Sequence, residues 1–383
     1  MSPPRTPQQS LLVAAYLSLA TMGTNSTMTG ALLPVIVRTL DLDAAQAGLL
    51  ASGPGVGYIV AVALAGLLSD SLGCRTIWLA GVGMGLLALF ALALAPSFLW
   101  LLPAIAALGL VGGFFDGGIN PLMSALTEGR AGGVLNRVHA FFGVGATTGP
   151  LLVSIGVRMG LPWRWHYVLL AAYLLLVGAL VTRNPLIPAS RPPAVAGTSL
   201  ISALRRRPVL LGALAMLLYG GVEACLFSWT ALYFVQTRGF TPSVGSLAVS
   251  LFGAALLTGR FASSAVVERL GYGRLVIGGA LLGSAGVGLM IWSPGRLLPW
   301  VGIALAGLAW SGIFATIVAD VAAQAPGRAG AVAGLVCASS GVGKIILPWW
   351  VGQVAQRSSI TTGLSLAVVG SILLGVSYAL SRK

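Results

Sequence analysis

The sequence predicts an all-α integral membrane protein whose twelve transmembrane helices form two pseudo-symmetric six-helix bundles. Three observations carry that prediction. Of the 383 residues, 57% are hydrophobic and only 8% charged, for a mean hydropathy of +0.95, which leaves too few polar groups to cover a water-soluble surface. The apolar residues come in runs of about 20, the length a helix needs to cross hydrocarbon, rather than in the ten-residue alternation of a membrane barrel. The second half of the chain also repeats the first at a constant shift of 198 residues.

Cutting at Gly, Pro and charge clusters gives the spans in order: 11-37, 44-68, 76-95, 99-126, 133-157, 165-182, 208-236, 243-267, 274-293, 298-322, 329-352 and 360-380. MSPPRTPQQS is a polar lead without a small-residue cleavage site, so the first helix is expected to stay uncleaved. The stretch TRNPLIPASRPPAVAGTSLISALRRRP, rich in Pro and Arg, reads as a linker. The predicted organisation is therefore 1-182 as the N-terminal bundle, 183-207 as a cytoplasmic linker and 208-383 as the C-terminal bundle. With both termini on one side, fourteen basic residues fall in the loops and ends of that side and six on the other, with Arg260 and Lys344 inside spans. The positive-inside effect then sets N and C termini in the cytoplasm of a multi-pass cell-membrane protein of the bacterial inner-membrane kind.

The repeat is visible in short blocks. DLDAAQAG (41-48) lies over GFTPSVGS (239-246), SDSLG (69-73) over VERLG (267-271), and GVGATTGP (143-150) over GVGKIILP (341-348). Asp70 thus falls on Glu268 and Gly73 on Gly271. Parallel repeats of this sort put a substrate site between the halves near mid-membrane. The net charge of +14 is dispersed between apolar runs, which argues against nucleic acid as a partner. Cys74, Cys225 and Cys337 have no metal-ligand spacing, so neither a metal nor a disulfide framework is expected. SSGVGKII (339-346) lacks the spacing of a phosphate loop, and no cofactor is expected.

Twelve spans, a 6+6 repeat, a central linker and GLLSDSLGCRT (66-76) resemble the major facilitator superfamily. Its loop motif is supplied here by Gly66, Asp70, Gly73 and, shifted by one, Arg75. The resemblance implies that Asp70 steadies one state of a gate by facing a helix N-terminus, with Glu268 and Arg269 as the repeated counterpart. DGGINP (116-121), LNRVHAFFGVGATTGP (135-150) and LLYGGVEACLFSWTALYF (217-234) are further similar to the fucose permease branch of sugar/proton symporters. That likeness implies Asp116 as the helix-four carboxylate, Asn120 and Pro121 as the Asn-Pro, and His139 in place of the helix-five amide. It departs at two positions: the helix-one acid falls near Gly30, and Asp116 is a methylene shorter than the Glu of the pattern. Gly145, Gly149 and Pro150 also match part of the helix-five motif of drug/proton antiporters, which keeps an exporter as the alternative.

Ionisable groups inside spans cost a few kcal/mol on insertion scales and are functional candidates. Counting 1.5 Å per residue from the turn near Arg130 brings Asn120 and His139 level, with Asp116 one turn deeper. Asp116 is the candidate proton site, or a structural tie to a group such as Lys344; His139 either relays its proton or is a neutral hydrogen-bonding residue. Glu223 either contacts substrate or bonds structurally; Lys344 is its counter-ion or an anionic-substrate anchor; Arg260 and Asp320 are expected to pair. Asn25, at the repeat position of Glu223, and the rings Phe142, Trp229 and Trp310 complete the candidate substrate contacts. The expected activity is secondary transport of a small polar solute, such as a sugar, by alternating access and proton symport, with sodium as the other candidate ion. It involves no enzymatic chemistry, and the chain is expected to work as a monomer in the bilayer. A non-transporting sensor or scaffold is the remaining class, and it has no need of several mid-membrane charges.

Overall fold

The computed structural model describes residues 7–126, 131–184, 206–324 and 329–382. Most of the predicted linker, 185–205, lies outside them, as do the side chains of Gly66, Asp70 and Glu268. The chain is all-α, and among the described residues it makes twelve membrane-length spans. These are α1 (Pro7–Leu40), α2 (44–72), α3 (74–94), α4 (Phe98–Leu126), α5 (Ala131–Arg158) and α6 (Trp163–Thr182). The second set is α7 (Arg207–Gln236), α8 (Pro242–Leu270), α9 (Tyr272–Trp292), α10 (298–323), α11 (Ala329–Arg357) and α12 (Ile360–Ser381). Eleven of them carry an apolar window long enough to cross a bilayer. The exception is α1, whose Thr24-Asn25-Ser26-Thr27 cluster dilutes its hydropathy although the helix runs 34 residues. A break at Ser311 and Gly312 divides α10, a feature without a mark in the hydropathy pattern.

The repeat read from sequence recurs in backbone detail. Between α2 and α3, Gly73 adopts φ 78, ψ 155; between α8 and α9, Gly271 adopts φ 76, ψ 153. Both conformations are open essentially to glycine alone, so one glycine per half makes the tight turn. Asp43 accepts from the Gln46 amide at 2.7 Å while Gln46 reaches back to the Asp43 N–H at 3.0 Å, a capping box that starts α2. Its repeat partner Thr241 caps α8 by accepting from the Val244 amide. Pro150 in α5 and Pro348 in α11 sit inside their helices at equivalent places. Nothing lies within 4 Å of a Cβ built at Gly271, so Gly271→Ala isolates backbone strain from steric clash. That variant is expected to lose about 1–3 kcal/mol, read as a fall in thermal midpoint in detergent.

Helix association in lipid relies on small residues that let backbones approach. A Cβ on Gly145 would run into the Ala20 carbonyl, and one on Gly343 into the Leu217 carbonyl, so α1–α5 and α7–α11 cross by the same device. The chain divides into two compact units. The first comprises Met1–Met28 and Gly53–Val195, the second Thr29–Ser52 and Ala196–Lys383. In the first, Trp78 donates to Ser18 Oγ at 3.0 Å and ties α3 to α1. In the second, α7 is central and packs against α8, α11 and α12. The hairpin Thr29–Ser52 belongs to this unit: Ser246 Oγ donates to the Ala31 carbonyl at 2.8 Å, the Ala44 amide donates to Gln356 Oε1 at 2.9 Å, and Gly48 meets Gly352 backbone to backbone.

Candidate substrate and coupling site

In the first unit, three helices bring four polar side chains into one row. Tyr58 of α2 donates its hydroxyl to Asp116 Oδ2 at 3.0 Å, and Asn120, one turn beyond Asp116 on α4, donates to Oδ1 at 3.5 Å. His139 Nε2 of α5 lies 3.1 Å from Asn120 Oδ1. The i, i+4 spacing puts Asp116 and Asn120 on one face of α4. Since the amide oxygen of Asn120 can only accept, the His139 tautomer that fits carries its proton on Nε2. Gly117 and Gly118 serve packing: Cβ atoms there would meet Ala65 and the Trp78 region. Depth counting aligns Asn120 with His139, but it does not reach Tyr58. The signal for Tyr58 in sequence is a phenol within an apolar span, a group that seeks a partner when buried.

Asn25 is buried; its Nδ2 donates to the Leu108 carbonyl at 2.9 Å, and its Oδ1 has no partner among the described residues. Phe142 of α5 is half-buried. In the second unit, Glu223 of α7 is buried and accepts from Tyr219 at 2.7 Å, one turn earlier. Arg260 of α8 is near the same phenol. One expectation is corrected here. Asp320 pairs with Arg382 at 2.9 Å, not Arg260, and also accepts from Tyr378 at 2.5 Å.

Trp229 and Trp310 both lie in the second unit. Both are fully buried; Trp229 Nε1 donates to the Pro348 carbonyl and Trp310 Nε1 to Ser371 Oγ, each at 3.1 Å. Their indole N–H groups need partners in a dry interior, and helix–helix ties supply them. Of the loop residues expected in gating, Gly73 makes the turn described above, Arg75 Nη2 donates to the Thr182 carbonyl at the end of α6, and Arg269 is exposed in the last turn of α8.

The Asp320–Arg382 pair is half dry, with side-chain exposures of 12% for Asp320 and 41% for Arg382. Arg382→Ala leaves a carboxylate with Tyr378 as its remaining partner. It is expected to cost about 1–2 kcal/mol, well under the value for a fully buried pair. Thermal unfolding in detergent checks this, with Asp320→Asn in the same chain expected to restore most of the loss.

The sequence profile of the Major Facilitator Superfamily matches residues 15–348. An uncharacterised MFS-type transporter of Yersinia pestis is 25% identical over 349 residues, spanning 90% of this chain and 88% of its own. Membrane protein MosC of Rhizobium meliloti is 25% identical over 353 residues, 91% of this chain and 83% of its own. Among solved structures, the nucleoside transporter NupG superposes with a TM-score of 0.80 at 16% identity, covering 99% of this chain and 100% of its own. A D-xylose-proton symporter superposes with a TM-score of 0.76 at 15% identity, covering 97% of each chain. At those identities the superpositions speak for the fold alone. With the profile spanning most of its length over twelve membrane-length helices, the chain belongs to the Major Facilitator Superfamily and is a membrane-embedded secondary transporter that moves a small solute across the bilayer.

Proposed function

We propose that the protein is a proton symporter for a small polar solute of sugar-like chemistry, with Asp116 as the proton-carrying carboxylate. The row Tyr58–Asp116–Asn120–His139 is the observation that supports this most. Asp116 accepts from two donors inside membrane spans and connects through Asn120 with the His139 ring. When Asp116 gains a proton it loses its charge and gains a donor, so the bonds it offers to Tyr58, Asn120 and a bound hydroxyl change together. A solute that prefers one of those two arrangements is thereby linked to the proton. Asn25, with an unspent acceptor, Phe142 and, from the other half, Glu223 and Lys344 are the proposed solute contacts. Alternating access is taken to proceed by rocking of the 1-182 and 208-383 bundles, gated near Asp70 and Glu268, with both termini cytoplasmic.

The exporter alternative loses part of its support. Gly145, one of the three residues it shares with antiporters beside Gly149 and Pro150, has a packing reason of its own at the Ala20 crossing, repeated at Gly343 where no such motif exists. Uptake into proteoliposomes, with a panel of sugars, nucleosides and organic ions under imposed proton or sodium gradients, tests the proposal. Accumulation driven by an inward proton gradient is expected; accumulation driven by sodium alone, or by an outward gradient, overturns it.

A further inference from the structure

The second unit carries a groove of about 500 Å³ between the first turns of α9 and the last turns of α12, away from Glu223 and its partners. Its two ends differ in chemistry. Arg274 and Arg382 stand at one end, while Ile277, Leu281 and Ala379 wall the rest, with Gly278 between them. Nothing lies within 4 Å of a Cβ built at Gly278, and Leu281 is 52% exposed, so among the described residues no neighbouring side chain fills the apolar part. Both helices are membrane spans, so that part opens onto hydrocarbon.

The polar end has an excess of positive charge. Arg382 Nε lies 3.4 Å from the Cβ position of Gly273, which puts the guanidinium over the first turn of α9. Gly271 gives that helix start no side-chain cap, and its first amides add partial positive charge. Arg382 spends Nη1 on Asp320 and Tyr378, and among the described residues its other donors are unspent. Asp320 is the carboxylate in contact, set against two guanidinium groups. A neutral headgroup would leave that charge unmet, and free phosphate would leave the apolar half uncovered.

We propose that this groove binds an anionic phospholipid, its phosphate held between Arg274 and Arg382 and one acyl chain lying along α9 and α12 past Gly278. The lipid is a bound structural ligand, separate from the transported solute. Arginine and phosphate form charge-assisted, often bidentate hydrogen bonds, which give the site its preference for charge.

The test uses the delipidated full chain in detergent. It is titrated with phosphatidylglycerol, with phosphatidylcholine of the same acyl chains, and with inorganic phosphate, and bound lipid is counted by native mass spectrometry. Phosphatidylglycerol is expected to be retained over phosphatidylcholine and to resist displacement by phosphate. Arg274→Gln is expected to lower its affinity about tenfold, and so is the double variant Asp320→Asn with Arg382→Gln, which leaves no orphaned carboxylate. Gly278→Leu fills the groove with both arginines intact and is expected to reduce binding as well. Arg357→Gln, exposed at the other end of the unit, is expected to bind as the unmodified chain does. Unchanged binding in Arg274→Gln and Gly278→Leu overturns the proposal. So does an equal loss in Arg357→Gln, which marks general charge attraction, or displacement of the lipid by phosphate at matched concentration, which marks a simple anion site.

Discussion

Asp116→Asn is expected to abolish gradient-driven accumulation while leaving solute exchange across the membrane in place. The amide matches the carboxylate in shape and still accepts from Tyr58; its NH2 then faces Asn120, so the row from α2 to α5 keeps its bonds once the Asn120 amide flips and His139 takes the other tautomer. What it loses is the ability to take and release a proton. A carrier moving one proton per neutral solute converts a one-unit pH gradient into roughly tenfold accumulation; the variant should equilibrate at a ratio near one. Counterflow, which needs only binding and alternation, should persist. Accumulation in Asp116→Asn equal to that of the unmodified protein would show that the coupling proton travels elsewhere. Asn120→Leu offers a graded comparison, since it cuts the tie to His139 and leaves the carboxylate.

The second large effect concerns the frame. Gly145→Val should abolish recovery of monodisperse protein, because even the first carbon of the new side chain would occupy the Ala20 carbonyl. Backbone cannot yield as a flexible side-chain tip does, so α1 and α5 would have to separate along their shared face. The cost should exceed the about 1–3 kcal/mol typical of overpacking. Gly343→Val should fail in the same way at the α7–α11 crossing, whereas Gly83→Val, with nothing within 4 Å, should express normally. Yields by fluorescence-detected size exclusion separate these outcomes; a stable, monodisperse Gly145→Val protein would refute the crossing argument.

The helices are legible in the sequence because each must satisfy its own backbone in hydrocarbon, which turns hydropathy into a direct record of the spans. The repeat is legible because its marks are local. Gly73 and Gly271 answer to one backbone conformation, and Asp43 and Thr241 to one capping position. The row at Asp116 is partly legible, since rise per residue relates Asn120 to His139 without knowledge of packing. Tyr58 is not, because which face of α2 turns toward α4 depends on helix rotation. Rotation follows from glycine crossings such as Gly57 against Ala106 and Gly109 against Pro54, which involve backbone from two distant segments. In sequence, Arg382 is one more basic residue of the terminal region. Its spacing of four from Tyr378 gains meaning only once α12 is seen to deliver both to Asp320. The halves also differ where function would reside. Tyr58, Asp116, Asn120 and His139 correspond by the 198-residue shift to Leu256, Phe314, Val318 and Cys337, so the C-terminal half keeps the frame and omits the row.

The hairpin Thr29–Ser52 has a consequence for how the protein is made. It is grouped with the second unit through Ala31, Ala44 and Gly48, yet some 155 residues of chain separate Ser52 from the start of α7 at Arg207. At ordinary elongation rates the ribosome needs roughly 10–30 s to cover that stretch. During that time the hairpin is in the membrane without Ser246, Gln356 or Gly352 to meet it. Halves produced as separate polypeptides cut at the linker would each be incomplete in a different sense. The second would lack a piece of its own packing, and only the first could supply it.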